Sequence, residues 1–348
     1  MTESKKWQCQ SGAEGDVVIS TRIRLARNLP KLPFPCRMNE EQARIVERSV
    51  CRAVEHSSDV LPYRLGFTAM QDLTRTEKLS LVERHLASPA FIAENEGRAL
   101  FLSPDERVSI LVNEEDHLRI QSMAPGLALE QAYEVADDLD DALNTSLHFA
   151  FDKKLGYLTQ CPTNLGTGMR SSVMLHLPAL QSSGQLYRMA SHLSKLGLTL
   201  RGTYGEGSES VGALYQLSNQ VSLGLSEGEA MSNLKSITMQ LVGQERETRK
   251  QIARSDEKVD RIARSLGLLQ SARLLSGDEF MQLISNVRLG VAVGVLPGPS
   301  FDTINGLLVD TQPATLSLAH GGGLSEAQRD AARAELVRDT LARSAKIR

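Results

Sequence analysis

Two spacings of apolar residues alternate along the chain. Asn39 to His56 repeats at helical spacing behind an asparagine cap, and Thr74 to Ala87 does so again before Pro89. The runs RALFLSP (98–104), RVSILVN (107–113) and HLRIQSM (117–123) are short, β-rich and separated by two or three polar residues. They predict an antiparallel meander. Helical spacing returns over Leu127 to Ser146, and FAFDKKLGYLTQ (149–160) predicts a hairpin turning near Gly156. Ser172 to Leu180 reads as a strand and Leu186 to Leu196 as a helix stopped by Gly197. LTLRGT (198–203) and GALYQLSN (212–219) read as strands around a polar, glycine-rich loop from Tyr204 to Ser210. Beyond Ser226 the strand signals fade. A long helix is expected through Ile252, then shorter ones to Arg343. The expected fold is α+β: an antiparallel sheet flanked by helices over residues 16–245, then a helical C-terminal domain over 246–348.

Composition narrows the function little. Of 348 residues, 41% are hydrophobic and 23% charged, and the net charge of −3 calls for neither nucleic acid nor an anionic membrane as partner. The first residues lack the apolar core of a signal peptide, and Leu289 to Leu296 is too short to span a bilayer. Four cysteines without paired spacing point to a reducing, cytoplasmic home.

The chemistry is concentrated in four segments. In Ser20-Thr21-Arg22-Ile23-Arg24, two arginines alternate with apolar residues, so a strand would turn both guanidinium groups to one face, as a polyphosphate requires. Taken alone, this is also the pattern of a half-exposed edge strand. Asn113-Glu114-Glu115-Asp116-His117-Leu118-Arg119 crowds three acids into a turn, which favours a cation among them; a solvated acidic turn has the same composition. CPTNLGTGMR (161–170) is a loop with two glycines that runs from Cys161 to Arg170, and RGTYGE (201–206) opens a loop able to close over a substrate. No GxxxxGK[ST] is present, and neither is the HRD and DFG set of common protein kinases.

In this order and spacing, STRIR, NEEDHLR, CPTNLGTGMR and RGTYGE resemble the phosphagen (guanidino) kinase family over Asp16 to Gly243. The resemblance implies a kinase that uses ATP and Mg2+, the metal arriving with the nucleotide, so that no protein metal site is expected. It implies catalytic roles for Glu115, Glu206 and Cys161, with the two carboxylates orienting and deprotonating a guanidinium. It implies nucleotide binding by Ser20, Thr21, Arg22, Ile23 and Arg24, by Arg119, and by Arg170, Ser171, Ser172, Val173 and Met174. It extends that role to Arg201, Gly202, Thr203, Tyr204, Gly205 and Glu206, and to His85 on the adenine side. A guanidinium has a pKa above ~12, so loss of a proton to a carboxylate is what makes it a nucleophile.

Small-molecule guanidino kinases carry a helical N-terminal domain before the STRIR segment, and only 19 residues precede Ser20 here. With the helical C-terminal extension, this resembles the bacterial protein-arginine kinase branch, whose substrates are proteins with exposed arginine. Ser325 to Gln328 reads as a capping box. The segment Arg329-Asp330-Ala331-Ala332-Arg333-Ala334 behind it matches that branch's RDxxRA motif for phosphoarginine, with Arg329 and Arg333 expected to grip a phosphate from one helix face. The resemblance also implies a heat-shock repressor, a small zinc-binding activator and a Clp-type protease as partners, and the leucine-rich C-terminal helices suggest a homodimer. Two other readings fit the same residues: a kinase for free arginine or a related guanidine, and a phosphoarginine-binding adaptor with little catalysis.

Overall fold

The computed structural model describes residues 6–57, 61–94, 96–202 and 210–346. Its strands are β1 (Val18–Arg27), β2 (Gly66–Ala69), β3 (Ala99–Leu102), β4 (Val108–Val112), β5 (Leu118–Pro125), β6 (Phe151–Asp152), β7 (Gly156–Tyr157), β8 (Met169–His176), β9 (Leu198–Gly202) and β10 (Leu214–Asn219). Eight form one sheet in the order β2-β3-β4-β5-β1-β8-β10-β9, with every neighbouring pair antiparallel. The ribbon β6-β7 stands apart as the expected hairpin. The helices are α1 (Glu40–Ser57), α2 (Arg75–Glu83), α3 (Pro89–Ile92), α4 (Leu129–Leu147), α5 (Pro178–Ser182), α6 (Leu186–Lys195), α7 (Glu227–Ala253), α8 (Asp256–Ser271), α9 (Gly277–Ala292), α10 (Phe301–Asp310), α11 (Pro313–Ala319) and α12 (Glu326–Lys346).

Strand alternation sets the layers. Ile23 and Leu25 of β1 join Ile120, Val173 and Leu217 in a core closed by Ala136, Leu139 and Leu143 of α4 and by Leu234 and Leu241 of α7. Full burial of each such aliphatic side chain is worth roughly 1.5–3 kcal/mol. A slip of one residue would drive arginines into this core, so the register is firmly set.

Three elements differ from the sequence expectation. Helix α2 starts where the Thr74–Glu77 capping box places it, but ends at Glu83 because His85 takes a left-handed backbone (φ 61°). Strand β8 begins three residues earlier than expected and stops at His176, since Pro178 sits in the first turn of α5. Strand β2 carries no alternation; it pairs along the sheet edge with β3.

The helical C-terminal region is bound to the sheet. Helix α7 runs unbroken past residue 245, where the domain division was expected. Its Glu245, fully buried, accepts from the backbone N–H groups of Ala179 (3.1 Å) and Leu180 (2.9 Å) and from Arg249 Nε (2.7 Å). Arg249 Nη2 in turn donates to the carbonyl of His176 (3.0 Å). Beyond α7, Phe280, Ile284, Val287, Leu307, Val337 and Leu341 pack a second core against Leu214. Among the described residues no helix is long and apolar enough to cross a membrane.

Two outcomes follow for stability. Glu245→Ala leaves the buried Arg249 with only the more distant Asp16 carboxylate and takes the acceptor from the Ala179 and Leu180 N–H groups, and should cost about 3–5 kcal/mol in urea unfolding; a loss under ~1 kcal/mol would show that this junction is not a strong anchor. Burial, then Arg288 and Arg249, hold the fully buried His176 well below its ordinary 6.5. The folded chain therefore binds fewer protons than the unfolded one below about pH 6.5, and stability falls as pH falls through that value. His176→Gln should flatten that slope in unfolding curves taken across acidic pH; an unchanged slope would refute the assignment.

Candidate active site

The face of the sheet opposite the core collects the arginines. Arg24 of β1 lies across from Arg170 on β8, and Ala26 lies across from Arg119 on β5. Ser20 is paired through Met174 and Gln216 with Arg201 on β9. Five guanidinium groups from four strands thus share one face. Arg22 Nη2 donates to Gln216 Oε1 (3.2 Å) and Arg170 Nη2 to Ser218 Oγ (3.1 Å). The Nε atoms of Arg24 and Arg170 are buried without a hydrogen-bond partner among the described residues.

These cations disfavour one another. Burial, then Arg119 and Arg170, bring Arg22 down to about 10. Burial and three neighbouring guanidinium groups push Arg24 far below its usual value. Burial, then Arg201 and Arg119, lower Arg170. Two unit charges ~4 Å apart near a protein surface interact by about 4 kcal/mol, so a face this rich in cations strongly favours a polyanion.

The acidic turn before β5 divides its residues between structure and cleft. Glu114 is buried, ion-paired with Arg119 and hydrogen-bonded by Ser88 Oγ. Asp116, fully buried, accepts from Asn28 Nδ2 (2.6 Å) and the Gln160 N–H (2.8 Å), and burial raises its pKa. His117 Nδ1 accepts the Leu29 N–H (2.9 Å), which leaves the Nε2 proton for the carbonyl of Pro33 (2.9 Å). Glu115 alone of the acids opens toward the cleft, accepting from Arg119 Nη2 (3.1 Å) and, at 3.5 Å, from Asn164 Nδ2.

Cys161 begins the loop opposite, with Sγ 3.1 Å from Thr163 Oγ1. Gly168 returns this loop to the sheet with φ 64°; a Cβ there would lie 2.7 Å from the Ala26 carbonyl, so only glycine allows the approach. Between turn and loop lies a cleft of about 150 Å3, lined by Arg24, Glu115, Arg119, Cys161, Asn164 and Arg170. It holds a carboxylate, a thiol and three guanidinium groups at one opening, which suits a cationic acceptor beside a polyphosphate donor.

The other expected residues fall into three groups. Ser20, Arg22, Ser172 and Met174 line a small cavity with His85 and Gln216, where burial and Arg22 hold His85 down to about 4. The side chains of Thr21, Ile23, Ser171 and Val173 point away from it. Ile23 and Val173 are core, Thr21 Oγ1 donates to the Gly126 carbonyl (2.7 Å), and Ser171 Oγ donates to Asn219 Oδ1 (3.3 Å). Strand alternation is the reason: it gives the side chain of every second residue of such a segment to the core. Gly202 ends β9, and Thr203, Tyr204, Gly205 and Glu206 lie outside the described residues. Sequence reading missed Asn164 and Gln216. Asn164 stood within CPTNLGTGMR; Gln216 gave no signal, because only strand pairing brings it to Arg22.

The C-terminal motif is also divided. Arg333 is 2% exposed; its Nε donates to the Thr311 carbonyl (3.0 Å), and its Nη1 to the Leu275 carbonyl and Asp330 Oδ1 (both 2.7 Å). Arg333 thus faces inward, while Arg329, one turn earlier on α12, is half-buried. Ala332 and Ala334 are buried beside Arg333, and Ala331 is exposed. Arg329 borders a cavity of about 300 Å3 with Thr76, Leu79, Glu83, Ala314 and Leu324.

The chain is similar to known guanidino kinases. The family model for the ATP:guanido phosphotransferase C-terminal catalytic domain matches residues 45–248, and that for the protein-arginine kinase McsB C-terminal domain matches residues 256–347. The protein-arginine kinase of Halothermothrix orenii is 44% identical over 337 residues, covering 96% of each chain. That of Symbiobacterium thermophilum is 45% identical over 339 residues, 97% of this chain and 96% of the other. Among solved structures, the duplicated taurocyamine kinase of Schistosoma mansoni with bound transition state analog components superposes with a TM-score of 0.59 at 32% identity, over 67% of this chain and 33% of that one. Lombricine kinase gives 0.59 at 26% identity over 68% of each chain. The chain therefore belongs to the ATP:guanido phosphotransferase family, enzymes that phosphorylate guanidino groups, and carries a C-terminal region of the protein-arginine kinase type.

Proposed function

We propose that this enzyme transfers the γ-phosphoryl group of ATP to arginine side chains of proteins. The observation that carries this reading is the cleft shared by Glu115, Cys161 and three of the sheet arginines, on a chain similar over nearly its whole length to protein-arginine kinases. ATP supplies the phosphoryl group, and Mg2+ arrives with it. Arg22, Arg24, Arg119, Arg170 and Arg201 hold the phosphates, and the Nε atoms of Arg24 and Arg170, without a partner among the described residues, are donors suited to phosphate oxygens. Glu115 orients the acceptor guanidinium and takes its proton as the N–P bond forms and the bond to ADP breaks. Cys161 lies against the guanidinium, and Glu206 supplies the second carboxylate. His85, with Ser20 and Met174, forms the adenine side.

We place the division between catalytic and helical domains after α7, near residue 254, where the chain leaves that helix. Within the helical part, Arg329 is the phosphoarginine ligand, while Arg333 braces α12. A heat-shock repressor as substrate, a zinc-binding activator and delivery of marked proteins to a Clp-type protease follow from the family resemblance, a cytoplasmic setting from the four cysteines without paired spacing, and a homodimer from the leucine-rich C-terminal helices.

Three outcomes test these roles. With ATP, Mg2+ and an unfolded arginine-rich protein, the chain should leave acid-labile phosphate on arginine and prefer peptide arginine to the free amino acid; a preference for free arginine would sink the protein-substrate reading. Glu115→Gln should lower kcat by ~10²–10⁴ with an unchanged melting profile. Phosphoarginine binding, followed by calorimetry, should weaken at least ~10-fold in Arg329→Ala, the loss of one charge-assisted pair, whereas Arg333→Ala should instead lower the melting temperature.

A further inference from the structure

The C-terminal region grips the catalytic domain at one turn, and that turn also carries His85. Helix α2 ends at Glu83, and Glu83, Arg84 and Leu86 each have a separate anchor. Glu83 receives the N–H groups of Ala314 (2.8 Å) and Thr315 (2.7 Å) and the Thr315 hydroxyl (2.8 Å), all from the first turn of α11. Ser80, one turn earlier on α2, meets Thr315 Oγ1 at 3.1 Å. Arg84 is ion-paired with the buried Glu106. Leu86 is 1% exposed in a core with Met70, Leu81 and Phe91.

Between these anchors His85 is held at φ 61°, a conformation uncommon outside glycine. Its carbonyl accepts from Gln121 Nε2 (3.1 Å) on the arginine-bearing strand β5, and its side chain borders the small cavity beside Arg22. A left-handed non-glycine residue at a binding cavity persists only where its surroundings over-determine it. Here one of the charge-assisted holds, the three hydrogen bonds to Glu83, comes from the C-terminal region, two residues away along the backbone.

We propose that Glu83 is a positioning residue: by fastening the end of α2 to the first turn of α11, it fixes His85 against the Arg22 cavity, so that the C-terminal helical region sets how tightly the nucleotide is held. This rests on the reading of that face as the nucleotide site. The effect acts on donor binding, because Glu115 and Cys161 stand on other elements that α11 does not hold. The link runs through three hydrogen bonds and two residues of backbone, short enough for a shift of α11 to reach His85.

The full-length chain tests this with ADP calorimetry and steady-state kinetics. Glu83→Ala should raise the Kd for ADP and the KM for ATP about ten-fold while kcat and the KM for the protein acceptor stay within about two-fold. Glu83→Gln, which keeps a carbonyl oxygen for the α11 donors, should recover most of the loss. His85→Ala should give the same nucleotide defect, and the double variant should bind no more weakly than either single one. If Glu83→Ala unfolds, Thr315→Val removes one donor and should give a smaller loss of the same kind. Wild-type ADP affinity in a folded Glu83→Ala variant, or additive losses in the double variant, would overturn the link while leaving the nucleotide site standing. A wild-type chain that binds no ADP would overturn the site reading and the link together.

Discussion

Everything at the candidate site depends on holding like charges together. Five guanidinium groups on one face of a sheet are placed there by strand alternation, and the same alternation fills the opposite face with aliphatic side chains that seal against α4 and α7. The core stabilises the register, and the register compels the arginines to remain neighbours despite their repulsion. The lowered pKa values of Arg22, Arg24 and Arg170, with burial as the first cause, record that cost. A cluster of this kind is destabilised without an anion, and that instability is what makes it a receptor for a polyphosphate.

The acidic turn shows how selectively such a site is built. Four adjacent ionisable residues from Glu114 to His117 would give an ill-defined charge cloud if all faced solvent. Three are fixed in structural work instead: Glu114 anchors Arg119, Asp116 ties residue 28 to residue 160, and His117 holds the chain at Leu29 and Pro33. Glu115 is left with a defined direction, close to the Cys161 loop. A carboxylate held by Arg119 on one side and approached by Asn164 on the other can orient a guanidinium without collapsing onto the phosphate-binding arginines.

The helical C-terminal region is more than an appendage. Ser285 of α9 meets His176 at the end of β8, and Glu83 secures the region to the end of α2, so it is held to the catalytic domain at two places. Arg333, expected at a ligand, braces this region from within, and its buried hydrogen bonds to two carbonyls explain why an arginine rather than a leucine fills that place.

The sequence by itself determined the α+β plan, the meander, the long helix behind Ser226, the single face of Arg22 and Arg24, and the family. Each of these rests on local information: the period of apolar residues, a capping box, or an unbroken motif. Local pattern could not separate Arg329 from Arg333, and only the family resemblance set Glu115 apart from Glu114 and Asp116, because neighbours of like chemistry differ only in which way they face once packed. It gave Thr21, Ile23, Ser171 and Val173 to the site by adjacency, where the pleat turns them away. Gln216 meeting Arg22, and Glu83 meeting α11, are contacts between residues about two hundred apart in sequence. Only the tertiary structure decided these, since strand order and helix docking are set by burial summed over the whole chain, which no local pattern encodes.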